Sequence, residues 1–167
     1  MTATTAVQSR STKLALAGWI AISLAAGSVG ANAARSAGEF YAQLDKAAWA
    51  PPAWLFGPVW TVLYVLMGVA AWMVWRERGW NGASTALAVF VIQLVFNALW
   101  TYLFFSMRSG ALAFGEILLL WALIAATILL FARAKRTAAL LLVPYLCWVS
   151  FATLLTWSVW QRNPALL

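Results

Sequence analysis

The chain has 167 residues, 65% of them hydrophobic and 9% charged, against about 45–50% and about 25% in ordinary soluble domains, which excludes a water-soluble globule. With no histidine and one cysteine, Cys147, it cannot build a His-ligated metal or haem site, a Ser-His or Cys-His catalytic pair, an intrachain disulfide or a thiolate cage. The net charge of +7 sits in short tethers between apolar runs, where it reads as membrane topology, and no nucleic-acid partner is expected.

Five stretches are apolar and long enough to cross a hydrocarbon core of about 30 Å, which takes about 20 helical residues. They run roughly over 14–34, 55–75, 84–105, 110–131 and 137–160. Alternation of period two is missing and Leu and Ala abound, which favours helices over barrel strands. The expected fold class is all-α, an integral membrane bundle of five transmembrane helices forming a single domain over 1–167. In the first stretch Arg10, Lys13, the apolar run and Ala31-Asn32-Ala33 also have the layout of a cleavable signal peptide. The run is long for a signal core, so a retained helix is expected.

Residues 35–54 connect the first two segments and hold Phe40, Tyr41, Trp49, Pro51, Pro52 and Trp54. Loops of this length in compact proteins are usually lids, binding segments or disordered. The prolines stiffen the backbone and the aromatics avoid water, so the loop is expected to fold over the mouth of the bundle as a lid. Lys and Arg on alternate sides number seven (Arg10, Lys13, Arg76, Arg78, Arg133, Lys135, Arg136) against four (Arg35, Lys46, Arg108, Arg162). The positive-inside rule then puts the N-terminus in the cytoplasm and the C-terminus outside.

There are 12 tryptophans. Trp19, Trp72, Trp75, Trp80 and Trp160 lie near segment ends, where an interfacial aromatic belt accounts for them. Trp121 and Trp148 fall near the centres of segments four and five, where an indole N–H needs a partner or a cavity. Helical spacing puts Gln93, Asn97, Trp100 and Phe104 on one face of segment three, Trp60, Tyr64 and Met67 on one face of segment two, and Tyr145, Trp148 and Ala152 together beside Pro144 in segment five. Trp157 is rotated to the opposite side of that helix. An interior lined by Trp, Tyr, Phe, Asn and Gln suits a flat, largely apolar ligand with a few polar groups. Amides in membrane helices also serve simply to join helices, at about 0.6 kcal/mol each, and spacing leaves both readings open. Glu116, less than two turns into segment four, reads as an interfacial carboxylate snorkelling toward the headgroups. Carboxylate pairs, phosphate loops and metal clusters are missing, so no metal is expected. Leu99, Tyr102 and Arg108 match a loose sterol-contact pattern that is common by chance.

Three motifs carry a family resemblance: Trp49-Ala-Pro-Pro-Ala-Trp54 running into Phe56-Gly-Pro-Val-Trp60-Thr-Val-Leu-Tyr64; Gln93-Leu-Val-Phe-Asn97-Ala-Leu-Trp100; and Val143-Pro-Tyr145-Leu-Cys-Trp148-Val-Ser-Phe151-Ala152. In this order they resemble the tryptophan-rich sensory protein / translocator protein family, also called the peripheral-type benzodiazepine receptor. The resemblance implies a five-helix bundle, commonly a homodimer. It also implies binding of porphyrins such as protoporphyrin IX and haem, of sterols, and of isoquinoline carboxamide and benzodiazepine ligands, with no cofactor beyond porphyrin as ligand. By motif the ligand-binding residues would be Tyr41, Trp49, Trp60, Tyr64, Gln93, Asn97, Trp100, Tyr145, Trp148, Phe151 and Ala152. Trp60 and Trp148 would be the catalytic pair if the chain degrades porphyrin in light, as is proposed for some bacterial members. Ala47-Ala48 in place of the usual Pro-Ser, Glu116 in place of an aspartate, and Trp157 in place of the tyrosine of a sterol motif point to a bacterial membrane. Three functions follow: a receptor or sensor regulating a tetrapyrrole or oxidative-stress response, a porphyrin or sterol transporter, and a light-dependent porphyrin-degrading enzyme. Transport would be favoured by broken helices and a coupling carboxylate, for which only Pro144 and Glu116 are available.

Overall fold

A computed structural model describes residues 2–33 and 37–167, with side chains from 12 to 32 and from 37 onward. Ala34 at the end of the first expected segment, Arg35 and Ser36 at the start of the loop, and the Arg10 side chain lie outside the described residues. Five α-helices follow in chain order: α1 (Thr2–Ala33), α2 (Ala37–Gln43), α3 (Phe56–Thr101), α4 (Gly110–Ala134) and α5 (Arg136–Arg162). A 3-10 turn, Ala53–Leu55, leads into α3, and its last turn widens into a π-helix, Tyr102–Ser106.

At 46 residues α3 would be about 69 Å long if straight, more than twice a hydrocarbon core. It instead folds back at Gly79, whose φ of 66° and ψ of −175° suit a residue without Cβ. Across the reversal Tyr64 meets Asn97 and Met67 meets Gln93. The two arms, 56–78 and 80–101, are therefore antiparallel and cross the bilayer separately. With α1, α4 and α5 they make five crossings: four stretches are long and apolar enough to span, and the one that holds the hairpin, Ala53–Ser106, has 54 residues, enough for two passes at about 20 residues each. The hairpin is tighter than the sequence indicates, because Arg76 and Arg78 extend the first arm instead of forming a tether. Arg76 lies 4.6 Å over the Trp72 ring. A single residue, Lys135, joins α4 to α5.

At one end of the bundle the Trp72 indole donates to the Thr12 carbonyl (3.1 Å), Arg78 donates to the Arg133 carbonyl (3.0 Å), and Lys135 pairs with Glu77 (2.7 Å). The start of α1, the Gly79 reversal and the Lys135 link thus share one side, and the 37–55 connection, the π turn and the C-terminus share the other. Glycine lets α1 and α3 touch: a Cβ on Gly68 would stand 2.6 Å from the Ile20 Cα, and one on Gly27 would overlap the Tyr64 ring.

Two expectations are corrected here. Trp19 is 6% exposed, packed on Trp80 (5.7 Å) and Phe90 (6.0 Å), so it belongs to the core and not to an interfacial belt. It shares a stripe of α1 with Ser23 and Gly27 that faces α3, and that rotational position overrides its nearness to a helix end. Pro144 does not break its span either, since α5 runs through it from Arg136 to Arg162.

The connection over the mouth contains a helix. Seven-residue α2 buries Phe40 and Tyr41, with Phe40 edge-on to Phe104 (6.4 Å) and Tyr41 edge-on to Phe56 (5.5 Å). The Lys46 ammonium donates to the carbonyls of Tyr41 (2.6 Å) and Leu44 (2.7 Å), placing a cation at the negative end of the α2 dipole. Beyond it, the Asn163 side chain accepts from the Asp45 N–H (2.8 Å) and donates to the Asp45 carbonyl (2.9 Å), fastening the lid to the end of α5. Arg162 adds an ion pair to Asp45 at 3.6 Å.

Candidate functional site

Beneath the lid lies a cavity of about 500 Å³, within the range of small-molecule sites. Its wall is aromatic. Trp60 stacks on Tyr64 (5.5 Å, 28°), Trp148 meets Phe56 edge-on (5.9 Å), and Phe56 meets Tyr41. Of the residues singled out from the sequence, Tyr41, Trp60, Tyr64, Trp100, Trp148 and Ala152 line this cavity.

Gln93, Asn97 and Tyr145 do not line it. They form a buried network behind the wall: Tyr64 donates to Asn97 Oδ1, Asn97 Nδ2 donates to the Tyr145 hydroxyl (3.0 Å), Tyr145 donates to Gln93 Oε1 (2.9 Å), and Gln93 Nε2 reaches Met67 Sδ (3.9 Å). This satisfies the amides inside the membrane, joins α3 to α5, and fixes the Tyr64 ring on which Trp60 stacks. Trp49 and Phe151 sit outside the lining, edge-on to each other at 5.7 Å, with Phe151 backing Trp148 at 5.6 Å. Trp121, 40% exposed, faces outward and satisfies its N–H on Ser150 Oγ (2.8 Å).

The indole nitrogens of Trp100 and Trp148 are shielded and have no hydrogen-bond partner among the described residues. Each is a donor on a residue that lines the cavity, and a buried donor left unpaired costs about 1–3 kcal/mol. Neither nitrogen is open to the cavity in this geometry, so a ligand acceptor would recover that cost only on a turn of the indole ring. The lining carries no Asp, Glu, Lys or Arg side chain among the described residues; its titratable groups there are the phenols of Tyr41 and Tyr64, whose hydroxyls donate to the Pro51 carbonyl and to Asn97.

Helix α1 also contributes, which its sequence does not signal. Leu24, Gly27, Ser28, Gly30 and Ala31 form one wall. Gly30 lets Thr101 close in, a Cβ there standing 3.2 Å from Thr101 Oγ1. Small residues at i, i+3 and i+4 are a packing signal in membrane helices, but they do not announce what they pack against.

Glu116 is corrected: it is 8% exposed and does not snorkel. It lies on the α4 stripe of Ala113, Ile117 and Leu120, all buried, so its rotational position turns it inward despite its nearness to the helix start. Both carboxyl oxygens lack hydrogen-bond partners among the described residues. Glu116→Leu, close in volume and without polar atoms, is expected to raise the thermal unfolding midpoint in detergent, by the equivalent of about 1–3 kcal/mol. A lower midpoint would reveal a stabilising partner for the carboxyl.

Ala152 is 7% exposed, one turn beyond Trp148 on the cavity wall. Ala152→Thr adds two heavy atoms where packing is closed, and overpacking costs about 1–3 kcal/mol. A ligand in the cavity is expected to bind about tenfold to a hundredfold more weakly, as measured by titration of parent and variant in the same lipid. Equal dissociation constants would uncouple this face of α5 from the site.

Fold and site together define an all-helical integral membrane protein, a five-crossing bundle with a lidded aromatic cavity. Residues 19–161 match the model of the TspO/MBR family, and the chain belongs to that family. It is 44% identical over 154 residues to a tryptophan-rich protein TspO of Chlorobaculum tepidum, covering 90% of this chain and 97% of that protein. It is 40% identical to a tryptophan-rich sensory protein of Cereibacter sphaeroides (75% and 77% covered) and 39% identical to the human translocator protein (75% of each).

Proposed function

We propose that the chain is a membrane receptor or sensor whose lidded cavity binds porphyrins, protoporphyrin IX and haem, and which regulates a tetrapyrrole or oxidative-stress response. The observation that carries this reading is the cavity itself, with Trp60, Tyr64 and Trp148 as flat walls and the unpartnered N–H groups of Trp100 and Trp148 as donors. Stacked aromatics favour a planar π ligand, and shielded donors favour one that brings acceptors such as carboxylates. Sterols and synthetic isoquinoline carboxamide or benzodiazepine ligands fit the same apolar lining less specifically. The reading includes a homodimer in a bacterial membrane with the N-terminus cytoplasmic, supported by the excess of Lys and Arg on the side of the Gly79 reversal.

A second reading, light-dependent degradation of protoporphyrin IX, is favoured by the presence of two oxidisable indoles, Trp60 and Trp148, on the same wall. Incubating the purified protein with protoporphyrin IX in light and in dark separates these readings. Binding alone quenches tryptophan fluorescence and leaves the chromophore intact, whereas catalysis bleaches it with turnover. The absence of quenching and of any spectral change would refute both.

A further inference from the structure

The cavity is not sealed on all sides. The lid covers its aqueous end, held by Asn163 on Asp45 and by the Tyr41 hydroxyl on the Pro51 carbonyl (3.0 Å). Its α1 and α3 walls, by contrast, include residues exposed at the bundle surface: Ser28 and Ala31 on α1, and Gly57 and Thr61 on the first arm of α3. These helices touch deeper in the bundle, at Gly68 with Ile20 and at Gly27 with Tyr64, but a Cβ on Gly57 would meet nothing within 4 Å. Among the described residues nothing closes on Gly57, at the lid end, where the exposed lining lies.

All four exposed residues lie on helices α1 and α3, which are long and apolar enough to cross a membrane, so the opening is on the flank of the bundle and not in a loop. Its chemistry agrees. The Ser28 hydroxyl is bonded to the Leu24 carbonyl (2.9 Å) and the Thr61 hydroxyl to the Gly57 carbonyl (2.9 Å). Both polar rim groups are satisfied within their own helices, as a surface in contact with hydrocarbon requires, and none of the four residues is charged.

We propose that this cleft between α1 and the first arm of α3 is the ligand portal, so that the site draws its ligand laterally from the bilayer while the lid stays fastened. The ligand class is then a membrane-dissolved amphiphile with a planar apolar body, whose polar groups remain near the headgroup level during entry. This inference rests on the cavity being the ligand site.

The test follows tryptophan quenching by protoporphyrin IX in stopped flow, with the full chain in phosphatidylcholine nanodiscs. Gly57→Phe and Thr61→Phe narrow the cleft, and both association and release are expected to slow tenfold or more. Asp45→Cys with Asn163→Cys in a Cys147→Ser background locks the lid, by disulfide or by a short bismaleimide where the disulfide does not form, and should leave both rates within twofold of the unlocked protein. Slowing by the lid lock with none from the cleft variants overturns the lateral route. Slower association with faster release in the cleft variants overturns it too, because the rim would then be part of the seat and not a passage. No quenching in the parent protein refutes the ligand reading itself, and the portal with it.

Discussion

Trp60→Phe combined with Trp148→Phe is expected to weaken protoporphyrin IX binding roughly thirtyfold and to abolish any light-dependent loss of the chromophore. Each change keeps a flat ring but removes about 40 Å² of apolar contact, worth about 1 kcal/mol at ~25 cal/mol per Å². Two such losses, about 2 kcal/mol, correspond to roughly thirtyfold in affinity. The effect on chemistry would be larger than the effect on binding, because phenyl is far harder to oxidise than indole and, among the described residues, no Asp, Glu, Lys or Arg side chain lines the cavity. Titration in the dark measures the first effect, and product formation under illumination measures the second. Undiminished product from the double variant would remove these indoles from the chemistry while leaving the binding comparison intact.

The second large effect is structural. Gly68→Ala places a Cβ 2.6 Å from the Ile20 Cα and 2.8 Å from its N, so backbone must give way to backbone. A flexible side chain could rotate aside, but a helix has to move bodily. The expected cost is about 1–3 kcal/mol, read as a lower unfolding midpoint in detergent. Because α1 forms one wall of the cavity, ligand affinity should fall in the same variant. A midpoint equal to that of the parent would show that the α1 to α3 crossing has slack.

Hydropathy and length were sufficient for the crossings, because a bilayer demands about 20 apolar residues whatever the packing. Helical periodicity also placed Trp60 with Tyr64, and Trp148 with Ala152, on shared faces, and the cavity uses all four. Whether Gln93 and Asn97 face a ligand or the neighbouring helices is beyond that information. The answer depends on Tyr145 arriving from α5, some 50 positions away, to close the network. Glu116 and Trp19 depart from expectation for a common reason: both lie near a helix end, but rotation about the helix axis decides exposure. Helix α2 is not legible in the sequence because seven residues hold too few turns for a periodic signal. It depends on tertiary help, from buried Phe40 and Tyr41 and from the Lys46 ammonium on its last carbonyls. The α1 wall is the plainest gap. Gly27, Gly30 and Ala31 carry little hydropathic contrast, and their use becomes visible only once the Tyr64 ring and Thr101 lie against them.

The most direct measurement is a structure of the protein with protoporphyrin IX added in lipid. The account predicts one porphyrin per chain beneath the lid, its plane against Trp60 and Trp148 and an acceptor atom within hydrogen-bond distance of the Trp100 or Trp148 indole nitrogen. Porphyrin bound only on the outward-facing surface of the helices, with the cavity filled by lipid or empty, would contradict it.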